Sequence, residues 1–387
     1  MRDQVQILRR YQTHLALVVA NVAFAAVFVT IALSGFHQPT PHGLPVGVVA
    51  PAQVSHKIQG ALDLHAPGAF DLRDYPSETQ ARVAITKRQL DGALIASSSG
   101  LRLLTAEAGG TAPAQAITNA FDAVAAKTGR HLTIVDAVAP LSGDSQALSS
   151  FFLILCMLFP SLATGVAAGH MLKRSHPASR FGVPLVAAIA IGLAAAGIAD
   201  GISGLGNYWA LAGIVALFSL AISAPTAALG QVKPQLAALA VLAFLIFGIP
   251  VSGGPADLAA FAPSFLRSLD SVLPLGVAAN TIRNTVYFHA NDTSGHLWVL
   301  AAWAAGGFAA LGLLIATAAR RGGAPQTPDA AIAGETDSAP SAAEPDHGHP
   351  SAAVSARATP GSIAALRIST NVMSAVRRSV GRPPSAA

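Results

Sequence analysis

Apolar positions run along this chain in two regimes. Six stretches are almost continuously apolar, at residues 14–34, 149–172, 181–202, 208–229, 235–251 and 296–319. Each is near the roughly 20 residues that an α-helix needs to cross a bilayer. The fifth is the shortest and is bracketed by Pro234 and Pro250. Ahead of the first, Val5, Leu8, Tyr11 and Leu15 recur at helical spacing with Arg9 and Arg10 on other faces, which predicts a short interfacial helix over residues 1–13. The first apolar run is longer than the ~7–15 residues of a cleavable signal and reads as a retained anchor at 14–34.

Between the first two runs, residues 35–148 alternate instead. "LPVGVVA", "AFDLRDY", "DGALIAS", "GLRLLTA" and "RHLTIVDAVAPL" read as strands. A helix follows the first strand, with Val54, Ile58, Ala61 and Leu62 on one face. "SETQARVAITKRQL" opens with a capping pattern, and "TAPAQAITNAFDAVAAKTG" ends on a glycine stop. The order predicts a small α/β domain with a mostly parallel sheet. The fold class is therefore an all-α membrane bundle of six helices carrying an inserted extracytoplasmic α/β domain, with five spans over residues 149–319.

Composition supports the bilayer reading. Hydrophobic residues make up 52% and charged residues 11%, against about 25% charged in average soluble domains. The net charge of +5 does not suggest nucleic acid, because the cations cluster beside the apolar runs. With the N-terminus inside, the short inner segments hold Arg2, Arg9, Arg10, Lys173, Arg174, Arg180, Lys233, Arg320 and Arg321 against Asp3. The outer segment 252–295 carries Arg267 and Arg283 against Asp257, Asp270 and Asp292. The positive-inside rule then keeps six spans, puts both termini on the cytoplasmic side of the plasma membrane and sends residues 35–148 outside. Residues 320–387 read as a disordered cytoplasmic tail, rich in Ala, Pro, Ser and acids after Arg321, with a basic amphipathic stretch at 362–382.

Motifs for chemistry are sparse. "GDSQALSS" and "GGTAPAQ" lack the lysine of a phosphate-binding loop, so the chain is not its own ATPase and needs no cofactor of its own. His347 and His349 lie in the polar tail, and Asn291–Asp292–Thr293 spells a glycosylation sequon. The lone Cys156 reads as a small buried hydrophobe. Asn21 and Asp200 are the candidate intramembrane polar groups. Pro160, Pro184 and Pro225 interrupt backbone hydrogen bonds inside spans.

Residues 261–288 are too polar to span and too apolar for an ordinary loop. Phe261, Phe265, Leu269, Val272 and Leu273 form one apolar stripe, opposite Ser264, Arg267, Ser268 and Ser271. Pro274, Leu275 and Gly276 make a corner. Val277, Ala278, Ile282 and Val286 then form a second stripe, against Asn280, Arg283, Asn284 and Tyr287. The layout of one span, a large external region and five spans, with "VGVV", "ARVAITKRQLDGALI" and "FAPSFLRSLDSVLPLGVAANTIRNTVYF", resembles the type-2 permease family of ABC transporters. Within it, the chain is similar to the phage-infection-protein-like permeases, without the long coiled coil of their better-known members. The resemblance covers residues 1–321 and implies an exporter subunit for a hydrophobic or lipid-like substrate. It implies a homodimer or a pairing with a similar chain, and a separate ATPase subunit that binds ATP. It further implies that 261–288 re-enters the outer leaflet as a gating segment around Arg267, Pro274, Leu275, Gly276 and Arg283. The loop with Lys173, Arg174, His176 and Arg180 is the candidate ATPase dock. The rival readings are a non-transport membrane protein displaying the α/β domain as a binding module, and a secondary transporter.

Overall fold

The structure is a computed structural model that describes residues 19, 22–23, 25–30, 41–97, 100–252, 254, 261 and 264–322. The expected interfacial helix, Asn21, most of the first apolar run and the tail from residue 323 lie outside the described residues. The described positions of the first run, 19, 22–23 and 25–30, are helical.

The α/β region follows the alternation in the sequence. Its elements are β1 (Leu44–Val49), α1 (Ala52–His65), β2 (Phe70–Asp74), α2 (Glu78–Thr86), β3 (Gly92–Ser97), β4 (Gly100–Thr105), α3 (Thr111–Thr128) and β5 (Leu132–Asp136). The sheet order is β2-β1-β3-β4-β5. All pairings are parallel except the β3–β4 hairpin. Val46, Val48, Leu94 and Leu103 point to the face covered by α1 and α3, where Phe70 and Phe121 also pack. Ala93 and Leu104 point to the other face, against Ala81, Ala84 and Ile85 of α2. The Ser77 side chain accepts from Gln80 N at the start of α2, and Gly129 closes α3 in the left-handed conformation that a side chain would strain.

The membrane part comprises α4 (Ser149–Met171), α5 (Pro177–Ser203), α6 (Tyr208–Val232), α7 (Pro234–Ala243), α8 (Ser264–Asp270), α9 (Pro274–Tyr287) and α10 (Ser294–Gly322). Among the described residues, four helices are long and apolar enough to cross a membrane: α4, α5, α6 and residues Ser294–Arg320 of α10. The fifth apolar run is not among them. Its α7 passes into a π-helical turn, Phe244–Gly248, before a last turn at Ile249–Val251. Pro250 cannot donate to the carbonyl four residues back, and the wider π turn accommodates its ring.

Helix α6 is the hub, packing on α4, α5, α7, α9 and α10. Small residues let these helices approach closely. A Cβ on Gly165 of α4 would lie 2.7 Å from Thr226 Cβ, and one on Gly307 of α10 would lie 2.6 Å from Pro225 Cδ. Cys156 is exposed on α4, not buried as its apolar surroundings suggest, because it lies on the helix face turned away from α6.

Candidate functional site: the buried junction around α9

The segment that the sequence marks as exceptional forms a buried strut between the α/β region and the helices. Helix α9 starts with Pro274 at its first turn, where a missing N–H costs nothing. Leu275, Val277, Ala278 and Ile282 enter the hydrophobic core of the bundle. On its other side, Tyr287 and the following Phe288 enter the core beneath α2. The sequence pattern puts Arg283 on a wet polar face. It is instead only 2% exposed, because both faces of α9 are covered by protein. Its Nη1 donates to Asn280 Oδ1 at 3.0 Å. Thr281 and Thr285 donate to the carbonyls one turn back, so neither hydroxyl is stranded.

Asp144 organises the polar side of this junction. It lies at the end of a short 3₁₀ turn (Ser142–Asp144) and is 7% exposed. Its carboxylate accepts from the Leu148 and Ser149 backbone N–H groups at 3.0 and 3.1 Å, capping α4. It also accepts from the Tyr287 hydroxyl at 2.6 Å. Burial pushes the Tyr287 phenol well above its ordinary value; the Asp144 hydrogen bond and charge add to this, while Arg283 opposes it. The phenol therefore stays a proton donor throughout the neutral range. Ser149 Oγ donates to Ser203 Oγ at 3.0 Å, and Asn207 Nδ2 donates to the Thr285 carbonyl at 3.4 Å. The start of α4, the end of α5 and the start of α6 are thus tied to one another and to α9.

The corner before α9 is strapped on both sides. Arg267 Nη1 donates to the His42 carbonyl at 2.9 Å, joining α8 to the approach of β1. Trp303 Nε1 of α10 donates to the Val272 carbonyl at 2.9 Å. Gly276 is required here: a Cβ would overlap the Asp270 carboxylate, which lies against the positive N-terminal end of α9. Beyond α9, Phe288 lies under the Arg88 guanidinium, 4.7 Å from its ring centroid. Asn291 Nδ2 donates to the Thr86 carbonyl at 3.1 Å, so the sequon asparagine is engaged in this contact. His289, Ala290 and Asp292 adopt positive φ, the tight turn that delivers the chain into α10.

The other sequence candidates lie apart. Asp200 is exposed near the end of α5, where Oδ1 accepts from Gly206 N at 2.9 Å and closes the turn into α6. Lys173, Arg174, His176 and Arg180 surround the α4–α5 turn, at the opposite end of the bundle from the α/β region. Arg180 folds that turn by donating to the Ser175 carbonyl at 3.1 Å, to Gln231 Oε1 at 3.3 Å and to the Lys173 carbonyl. His176 Nδ1 accepts from Ala178 N at 3.3 Å at the start of α5. Lys173, Arg174 and His176 are exposed.

Two apolar grooves flank α6. One, of about 620 Å³, runs between α6 and α10; the other, of about 500 Å³, is closed by α7 and α8. Pro225, Leu229 and Trp303 line both. The Trp303 ring meets Phe244 edge-on at 5.7 Å, beside the π turn of α7.

No family model, no curated protein and no solved structure matches this chain.

Proposed function

We propose that the chain is the membrane-spanning subunit of an ABC-type exporter in a bacterial plasma membrane. In this reading it has six spans, both termini in the cytoplasm, and the α/β region outside. It forms a homodimer or pairs with a similar permease, and a separate ATPase subunit binds ATP. The cargo is hydrophobic or lipid-like. The observation that carries the reading is the burial of α9, with Leu275 and Val277 each 1% exposed inside the bundle core and Tyr287 under the α/β region. A polar-faced helix held inside the end of an apolar bundle can cap a path through it, with protein covering both of its faces. The direction of the helices adds support. Lys173, Arg174, Arg180, Lys233 and Arg320 all fall at the bundle end opposite the α/β region, the distribution that the positive-inside rule associates with a cytoplasmic end. The apolar grooves on either side of Pro225 suit an acyl chain entering from lipid.

The test is co-purification of the full chain from its host in mild detergent. An ATPase is expected to accompany it. Replacing His176, Pro177 and Ala178 with a Gly–Ser stretch keeps every cation of the loop and is expected to leave insertion intact while lowering ATP hydrolysis. In a Cys156→Ala background, Leu275→Cys is expected to react with an impermeant thiol reagent only during ATP turnover. If no ATPase accompanies the chain and Leu275→Cys labelling ignores ATP, the exporter reading fails and display of the α/β region as a binding module replaces it.

A further inference from the structure

The sheet face that α2 covers over β1 and β3 is left open over β4 and β5 at the hairpin end. A pocket of about 290 Å³ opens there, lined by Glu78, Ile95, Ser97, Arg102, His131 and Thr133 among others. Register explains the floor. Ile95 pairs with Arg102 and Arg102 pairs with Thr133, so one row of side chains crosses three strands on the same face. Arg102 stands in the middle of that row, with its side chain 53% exposed. Glu78, from the first turn of α2, forms the wall.

The charges in this pocket do not balance. The Glu78 carboxylate is shared by two guanidiniums: Oε1 accepts from Arg82 at 2.9 Å and Oε2 from Arg102 at 3.1 Å. Arg130 adds a third guanidinium beside the pocket, bonded to the Ser97 carbonyl, and His131 lines the rim. Arg102 commits only Nη1 to Glu78, leaving most of the five N–H donors of a guanidinium for another partner. An exposed ion pair of this kind is worth about 0–1 kcal/mol, so an incoming anion displaces it at little cost. A planar guanidinium with free N–H groups matches the oxygens of a carboxylate or phosphate in a bidentate manner.

We infer that this pocket binds a small organic oxyanion, a multivalent carboxylate or a phosphate ester, through Arg102 with His131 and Thr133 beside it. The volume holds about ten water-sized groups, the scale of one small organic acid. The other end of β3, Gly92 paired with Thr105, leads to the turn that meets α9. At about 3.3 Å per residue the row of Ile95 and Arg102 is roughly 10 Å along the strand from that end. The site is therefore separate from the junction and the grooves, and it stands whether or not the chain exports anything.

The test is calorimetric titration of the full chain in detergent with citrate and, separately, inorganic phosphate, each against sodium chloride at equal ionic strength. Saturable binding of at least one oxyanion is expected; citrate alone assigns a carboxylate ligand, phosphate alone a phosphoryl ligand. Arg102→Gln is expected to weaken binding at least tenfold. Glu78→Gln removes the competing carboxylate and is expected to tighten it severalfold, an effect opposite to that of merely losing a structural ion pair. The absence of saturable binding of either anion, equal affinity in Arg102→Gln, or weakening in Glu78→Gln would each overturn the proposal.

Discussion

At the scale of single residues, the contact between Tyr287 and Asp144 carries the most consequence. It joins residues 143 positions apart through a buried 2.6 Å hydrogen bond to a charged acceptor. Bonds of this type contribute about 1.5–3 kcal/mol. Tyr287→Phe is expected to destabilise the protein by that order in thermal unfolding. Asp144→Ala is expected to cost more, because it also removes the cap of α4 and strands the phenol. The pH dependence has a definite sign. The folded-state phenol is raised above the ordinary value of about 10. Its stabilising contribution is then fully present below about pH 10 and is lost as pH rises through the higher folded value. Stability of the wild type should fall above about pH 10 more steeply than that of Tyr287→Phe. Parallel curves for the two proteins would mean that the phenol is not buried against a carboxylate.

At the scale of elements, close approach of helices rests on particular glycines, and the glycines separate into two kinds. Gly165→Leu and Gly307→Leu push side chains into Thr226 and Pro225, and each is expected to cost about 1–3 kcal/mol by overpacking. A Cβ on Gly213, also within a span, would meet nothing within 4 Å, so Gly213→Ala is expected to be neutral or stabilising by about 0.5–1 kcal/mol. Detergent melting curves distinguish the two kinds, and equal effects at all three positions would refute the α4–α6–α10 packing. The strands and helices of the α/β region were legible in the sequence because period-two alternation, the Ser77 cap and the Gly129 stop are local signals. The run at 235–251 was harder: its composition suits a span, but a proline near its end widens a turn and shortens the regular helix. The amphipathic pattern of α9 was visible too. What its polar side meets was not, because Asp144, the partner of Tyr287, and Asn207, the partner of the Thr285 carbonyl, come from segments distant in sequence. "GDSQALSS" held one usable sign: an acid just ahead of an apolar run marks a helix start, and Asp144 serves that role.

At the scale of the whole molecule, the orientation of the chain is tied to the direction of its helices. The α/β region precedes α4, and α4, α5 and α6 alternate in direction, so the turn carrying Lys173 and Arg174 falls at the far end of the bundle. If cations stay on the cytoplasmic side, the α/β region is outside and the α4–α5 turn is inside. Single cysteines test this directly. Cys156 is exposed on α4, so the background is Cys156→Ala, which leaves each introduced cysteine as the sole thiol. Lys57 on α1 and Arg174 in the α4–α5 turn are both exposed, so access across the bilayer, not burial, decides their reactivity. Lys57→Cys is expected to react with an impermeant maleimide in intact cells. Arg174→Cys is expected to react only after lysis. The reverse pattern would place the α/β region inside; it would remove the export topology while leaving the buried α9 junction unchanged, since that junction depends on packing within the chain and not on which side of the membrane it faces.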